Sequence, residues 1–400
     1  MKIAIISSIY PYPTDTGGKQ RIVSIIEFLI QKGFVVELIC LVDKKDLPLH
    51  IPKNTKLKVT YFCHSRNKKA FNILLNFWRH EPFQVSMNRN RSLQNYLSKR
   101  TFDHVIVHMV RMSWLKIEAR ATLEMVDSVA HNYSRYIESL SWKDYGVKDL
   151  LYKYELKLLK EYEVEVIERY AKTVLVSSLD KDYVISNIIF GKEVQATSFD
   201  KKINIIPLTL QTNIDSSIER SNKARNSVLF IGKLDYQPNE QAVVYFLEEI
   251  FGSLISKHPE LRFVLIGKSP TQKIKSLLSS YGGKVDHITF AEDLYPYMDN
   301  SFCSVALMLS GAGMQTKIID AMTYAVPVVT TIIGFGDFKF KNGVEIIIAD
   351  GDQNIVDEIS NLYVNTVKGY TIGVNGKAAV EQEYGKNAFS RLYSEVLIDE

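Results

Sequence analysis

Residues 310–331, SGAGMQTKIIDAMTYAVPVVTT, constrain the fold more than any other part of the chain, because 22 residues hold a strand end, a glycine turn, a helix and a buried strand in fixed order. Ser310, Gly311 and Gly313 make a loop whose small or missing side chains let backbone N–H groups approach an anion closely. The apolar positions Ile318, Ile319, Ala321 and Met322 then follow helical spacing. The N-terminus of that helix, with unpaired N–H groups and the positive end of its dipole, points at the same place. Lys317 follows Gly313 by four residues, and Asp320 lies one turn beyond Lys317. A lysine on phosphate and a carboxylate accepting hydrogen bonds from a ribose diol is one chemistry this spacing supports. A tight strand-to-helix connection with a solvated lysine fits it equally well. Pro327-Val328-Val329 opens the next buried strand.

Short β-branched apolar runs alternate with helical stretches along the whole chain, the pattern of parallel sheets built from βαβ units. Residues 2–8 read as a buried first strand, 11–18 as a turn-rich loop, 19–32 as a helix capped by Gly33, and 35–42 as the second strand. Further strands are expected at 104–108, 123–126, 173–177 and 203–207, with a long amphipathic helix at 150–170. A second half restarts at 227–231 and continues through a helix at 240–258 and strands at 262–267, 288–290 and 303–308. Two successive halves of this kind imply two Rossmann-like lobes with a cleft between them. The expected division is 1–208, 209–385 and a closing helix within 386–400, with the linker near 209–226, where hydrophobic periodicity lapses.

A chain of 400 residues exceeds one ordinary core, and 46% hydrophobic with 24% charged residues is a globular composition. Cys40, Cys63 and Cys303 are scattered and odd in number, which favours reduced thiols in a cytosol over a disulfide framework. The first ten residues are too short an apolar run for a signal peptide, and no segment has the uninterrupted apolar length of a membrane span. The net charge of +4 is too small to argue for nucleic acid, yet residues 66–100 carry eight basic residues against the single acid Glu81. Apolar residues such as Phe71, Phe77 and Trp78 are interleaved there. That mix suits an interfacial helix on anionic lipid at the inner face of a cytoplasmic membrane, and equally a core helix with a solvated basic face.

Several chemistries are excluded. The first strand is followed by Tyr10-Pro11-Tyr12-Pro13 and then Gly17-Gly18, with no glycine triplet for a dinucleotide. There is no Walker loop, zinc-like cluster or nucleophile elbow.

Residues 310–331 resemble the nucleotide-sugar site of family 4, or group 1, glycosyltransferases, which have the GT-B fold of two Rossmann-like lobes with parallel sheets facing a central cleft. That family usually carries two glutamates eight positions apart. The second maps to Asp320 and the first to Ala312, as in a branch with a GAG loop that lacks the first glutamate. The resemblance gives Asp320 the ribose and leaves Ala312 without a sugar-holding carboxylate. Gly17-Gly18 resemble the first-lobe glycine pair that faces the donor phosphates, with Arg21 one turn into the helix and placed for an anion. Residues 232–239, GKLDYQPN, resemble the loop after the first strand of the second lobe, where Lys233 matches a diphosphate-holding cation. Together the resemblance implies a donor set of Gly17, Gly18, Arg21, Lys233, Gly311, Ala312, Gly313, Met314, Lys317 and Asp320. It implies a nucleoside diphosphate sugar, UDP before GDP, with no metal, and retention of anomeric configuration.

In the first half, residues 125–135, MVDSVAHNYSR, follow a strand and so reach its carboxyl end. Asp127 is the first candidate for a group that touches sugar or acceptor, with helix capping as its structural alternative. His131 is the second, as a group that orients a hydroxyl or takes a proton, against a solvated loop residue. His104 and His108 share one strand face and are expected to be structural. Glu292-Asp293 resemble the turn where amides meet the nucleotide base, and helix capping is again the alternative. The expected activity is transfer of a sugar to a hydroxyl of a glycan, lipid-linked or protein acceptor, in surface polysaccharide or glycoconjugate assembly. A non-catalytic subunit of the same fold is the main alternative, and a sugar-nucleotide epimerase the other.

Overall fold

The structure, a computed structural model, describes residues 1–14, 16–43, 55–64, 72, 80–138, 146–191, 199–209, 225–310 and 314–398. The chain divides into two compact units, Met1–Gln211 with Phe389–Glu400, and Thr212–Ala388. Residues 210–224 of the expected linker and the loop residues Gly311, Ala312 and Gly313 lie outside the described residues.

The first unit holds a seven-stranded parallel sheet in the order β3-β2-β1-β4-β5-β6-β7. Its strands are β1 (Lys2–Ser7), β2 (Val35–Asp43), β3 (Leu57–His64), β4 (His104–His108), β5 (Ala121–Val126), β6 (Lys172–Leu175) and β7 (Ile203–Ile205). Its helices are α1 (Gly17–Gln31), α2 (Phe83–Met87), α3 (Arg91–Leu97), α4 (Val129–Glu138), α5 (Val147–Arg169) and α6 (Ser178–Gly191). Strand residues alternate between two cores. Ala4, Ile6, Ile39, Val105 and Val107 pack on one face, and Ile3, Ile5, Leu38, Cys40 and Ile106 on the other. Burial on both faces explains why these strands read as continuous apolar runs. Ile5 is fully buried, so a carboxylate there would lose about 1.5–3 kcal/mol of burial and add an unpaired charge.

The second unit holds a six-stranded parallel sheet in the order β10-β9-β8-β11-β12-β13. The strands are β8 (Ser227–Ile231), β9 (Arg262–Ile266), β10 (Val285–Ile288), β11 (Ser301–Ala306), β12 (Val328–Thr330) and β13 (Ile347–Ile348). The helices begin with α7 (Gln237–Tyr245), which runs through a π-helical turn at Phe246–Phe251 into α8 (Gly252–Lys257). They continue as α9 (Gln272–Ser280), α10 (Tyr295–Asn300), α11 (Thr316–Thr323), α12 (Ile332–Phe335), α13 (Asp352–Val364) and α14 (Thr366–Tyr384). Gly385 ends α14, and α15 (Lys386–Ile398) follows, its Phe389, Tyr393 and Val396 belonging to a core of the first unit.

Three local expectations change. The first helix starts at Gly17, not at residue 19, so the glycine pair forms its first turn. The strand expected at 288–290 is β10, three residues earlier, because Val285 and Ile288 pair with β9 while Phe290 is exposed. The edge strand β3 was not expected, since none of its positions is fully buried and it lacks the apolar run of the inner strands. In the basic stretch, Arg66, Lys68, Lys69 and Arg79 lie outside the described residues, as do Phe71, Phe77 and Trp78. Arg89 is bound by Glu81 at 2.5 Å and lies over Trp114, which makes it structural, whereas Arg91, Lys99 and Arg100 are exposed. Among the described residues no helix is long and apolar enough to cross a membrane.

Candidate functional site

Parallel strands deliver the loops at their carboxyl ends to one edge, and both units place chemistry-bearing residues there. In the second unit β8 ends in Gly232-Lys233 and β9 in Gly267. A Cβ on Gly267 would fall 2.0 Å from the Gly232 carbonyl oxygen, and one on Gly232 would fall 2.7 Å from Asn239 Nδ2. Glycine at both positions lets the two loop backbones touch. Asn239, nearly buried on α7, then joins the site together. Its Nδ2 donates to the Lys233 carbonyl at 2.9 Å, and its Oδ1 accepts from Lys317 Nζ at 2.5 Å.

Lys317 enters from the first turn of α11, where Gln315 caps with no side-chain hydrogen bond. Its ammonium also lies 3.4 Å from Met308 Sδ and 4.9 Å from the centre of the Phe230 ring. Burial holds the Lys317 ammonium down to about 8 and pushes the Asp320 carboxyl up to about 7. Among the described residues neither has an ion-pair partner. A cation and an acid one turn apart, both desolvated and neither in an ion pair among the described residues, suit a ligand that supplies an anion to one and a hydroxyl pair to the other. The floor is braced by Thr331 Oγ1, which donates to the Met308 carbonyl at 2.6 Å, and by Ser310 Oγ, which donates to Gln241 Oε1 at 2.5 Å.

Lys233 sits at the rim, 69% exposed at its side chain and paired with Asp235 at 3.1 Å. Met314 precedes α11 and is half-buried. In the turn expected to meet the base, Asp293 accepts from the Tyr295 N–H at 2.9 Å, a local bond just ahead of α10. Phe290 is 62% exposed there, with Lys268 Nζ 4.4 Å from its ring centre.

In the first unit Gly17 and Gly18 open α1, whose Thr16 cap makes no side-chain hydrogen bond. Arg21 does not join them. Its side chain is fully buried, Nε donates to Glu124 Oε1 at 2.9 Å, Nη1 donates to the Pro207 carbonyl, and the Phe389 ring lies 5.1 Å away. The expected anion contact is therefore corrected: Arg21 is the counter-charge of a buried glutamate.

Asp127 and His131 each lie near Asp180, a residue that sequence reading missed. Val126 has a φ of 72°, and the Asp127 N–H turns back to the Met125 carbonyl at 3.0 Å. A positive φ at a β-branched residue is a strained conformation. Met109, past the end of the neighbouring strand β4, has a φ of 71°. Strain is thus stored at two adjacent strand ends, on the edge of the sheet that carries its loops. Asp127 accepts from Asn132 Nδ2 at 2.5 Å, and its carboxyl is pushed up by burial and by the nearby Asp180. His131 Nδ1 lies 2.7 Å from Asp180 Oδ1, and the ring stacks on Tyr183 with centres 4.6 Å apart. The start of α4 is held by Glu163, which accepts from Ser128 Oγ at 2.7 Å and from the Ala130 N–H at 3.1 Å. Burial pushes the Glu163 carboxyl up to about 8. His104 bonds Thr122 in the sheet at 2.9 Å, and His108 is fully buried with both ring nitrogens unpaired.

Residues 225–365 match the family model described as Glycosyl transferases group 1. An uncharacterized 44.6 kDa protein in the cps region of Klebsiella pneumoniae is 25% identical over 411 residues, covering 98% of this chain and 99% of that protein. Among solved structures, HepE from Anabaena in complex with UDP superposes with a TM-score of 0.65 at 14% identity over 99% of both chains. A mutant of TarM from S. aureus, in complex with Fondaparinux, alpha-GlcNAc-glycerol and UDP, gives a TM-score of 0.68 at 11% identity over the whole of both chains. The chain therefore has the GT-B fold, and residues 225–365, which include Lys233, Lys317 and Asp320, are similar to the group 1 glycosyltransferase model.

Proposed function

We propose that this chain is a glycosyltransferase that moves a sugar from a uridine diphosphate sugar to a hydroxyl of a glycan or glycoconjugate acceptor. The observation that carries the reading is the Lys317–Asp320 pair on the first turns of α11, desolvated and without an ion-pair partner among the described residues. Bound nucleotide would place its diphosphate against Lys317 and the amino end of α11, and its ribose diol against Asp320. Lys233, on a flexible stem at the rim, supplies a second cation once it leaves Asp235.

Sugar transfer breaks the bond between the anomeric carbon and the β-phosphate oxygen, and negative charge grows on the departing diphosphate. Cations and helix amides already aimed at that charge stabilise the transition state more than the ground state. Uridine as the base is supported by the complexes of HepE with UDP and with UDP-glucose. Polysaccharide assembly as the setting is supported by the cps-region location of the Klebsiella relative.

A thermal-shift titration with UDP, GDP and ADP tests the reading. Stabilisation by UDP that disappears in both Lys317→Ala and Asp320→Ala is the expected result. A second reading, a non-catalytic subunit of the same fold, is favoured by Ala312 at the position where family members usually have a glutamate. It predicts no shift with any nucleotide.

A further inference from the structure

The carboxyl ends of β5 and β6 lead into α4 and α6, and the third residue of each helix meets the other: His131 on α4 and Asp180 on α6. An ionised carboxylate only accepts hydrogen bonds, so the 2.7 Å contact fixes the proton on His131 Nδ1. A neutral ring so held offers the Nε2 lone pair, and Nε2 has no partner among the described residues. Tyr183 stacks on the ring and prevents it from turning away.

A second observation is independent of that bond. Asp180 is 1% exposed, yet its Oδ2 is unpaired, and the hydroxyl of Tyr183, one turn further along α6, is buried and unpaired as well. Buried polar atoms in native proteins are overwhelmingly paired, so unpaired ones grouped at the ligand-bearing edge of a parallel sheet point to a polar ligand. Three hydrogen-bonding atoms of different character, a ring nitrogen, a carboxylate oxygen and a phenol, suit the several hydroxyls of a sugar better than an anion. The adjacent Asp127 carboxylate disfavours an anion further.

We propose that His131, Asp180 and Tyr183 form a sugar-hydroxyl subsite on the first unit, in which Asp180 is the positioning residue that makes His131 Nε2 a hydrogen-bond acceptor. The identification of the ligand as a sugar rests on the glycosyltransferase reading. The tautomer does not.

Nitrogen-15 NMR of the full chain labelled at histidine reads the tautomer directly, with His131→Gln identifying the resonances. The expected result is a His131 that carries its proton on Nδ1 in the wild type and loses that preference in Asp180→Asn. A wild-type His131 with its proton on Nε2 overturns the proposal without recourse to any variant. Glucose and N-acetylglucosamine are then titrated in. A saturable shift of His131 Nε2 with one of them, weakened at least about fivefold in Asp180→Asn, is expected. No shift with either sugar, or an equal affinity in the variant, also overturns it. Failure of UDP to stabilise the protein would instead remove the transferase reading, and with it the argument for a sugar, while leaving the His131 tautomer and any measured shift with sugar intact, so the two failures are distinguishable.

Discussion

Lys317 Nζ lies 2.5 Å from Asn239 Oδ1, and the same asparagine side chain holds the carbonyl of Lys233 at 2.9 Å. One amide thus ties the loop after β8 to the first turn of α11. The amide is neutral, so it orients the ammonium without neutralising it. An aspartate there would form an ion pair and compete with an incoming diphosphate.

Lys317→Met is expected to abolish stabilisation by UDP while raising the thermal stability of the empty protein, by on the order of 1 kcal/mol, because a desolvated ammonium with no ion-pair partner among the described residues is replaced by an apolar chain of similar length. Asn239→Asp should weaken UDP binding at least tenfold and leave the fold intact. Unchanged affinity in Asn239→Asp would show that the neutral amide has no bearing on the anion.

Arg21 answers to a different test. Its guanidinium and the Tyr393 hydroxyl, 2.8 Å from Glu124 Oε2, both serve the buried Glu124 carboxylate. Arg21→Ala strands that charge and is expected to destabilise the protein by about 3 kcal/mol or more. Tyr393→Phe removes one hydrogen bond and should cost about 1–2 kcal/mol. Urea unfolding measures both. For folded Tyr393→Phe, UDP affinity within twofold of wild type is expected, and a tenfold loss would return this network to the nucleotide site.

The contrast between Lys317 and Arg21 shows what the chain reveals on its own. Glycine spacing, helical periodicity and a lysine before a helix carboxylate are local, so the corner around α11 is legible from residues 310–331. The partners of a side chain are not local. Glu124, 103 positions after Arg21, lies in a mostly apolar strand and gives no sign of which cation it holds. Asp180 reads as an ordinary first-turn acid of α6, and only the parallel pairing of β5 with β6 brings it to His131. Asn239 is visible as the end of the stretch 232–239 but not as the bridge between two loops. The π-helical turn at Phe246–Phe251 is likewise invisible, since its phenylalanines keep an apolar face through the irregularity.

Contact with anionic lipid through residues 66–100 predicts a graded effect of charge. Arg91, Lys99 and Arg100 are exposed, whereas Arg89 is engaged by Glu81. Each exposed cation near a lipid surface contributes about 1 kcal/mol. Lys99→Glu with Arg100→Glu should therefore reduce sedimentation with phosphatidylserine vesicles at least tenfold, and Arg89→Ala should act on stability instead. Equal sedimentation of the double variant and the wild type would assign the basic stretch to an ordinary solvated surface.

Nucleotide binding should also be linked to protons in opposite directions on the two sides of neutrality. The folded-state value of Asp320 is raised to about 7, so its charge costs stability in full above that pH and the cost is relieved as pH falls through 7 towards 3.8. The folded-state value of Lys317 is lowered to about 8, so its charge costs stability in full below that pH and the cost is relieved as pH rises through 8 towards 10.5. A diphosphate beside Lys317 favours the charged ammonium, and a ribose diol that donates to Asp320 favours the charged carboxylate. At about pH 8.5 binding should thus take up a proton on Lys317, and at about pH 6.5 it should release one from Asp320. Titration calorimetry with UDP in two buffers of different ionisation enthalpy reads the sign at each pH. Lys317→Met should lose the alkaline uptake alone if any binding persists, and Asp320→Asn the acidic release alone. Binding enthalpies independent of buffer at both pH values would mean that neither group meets the nucleotide.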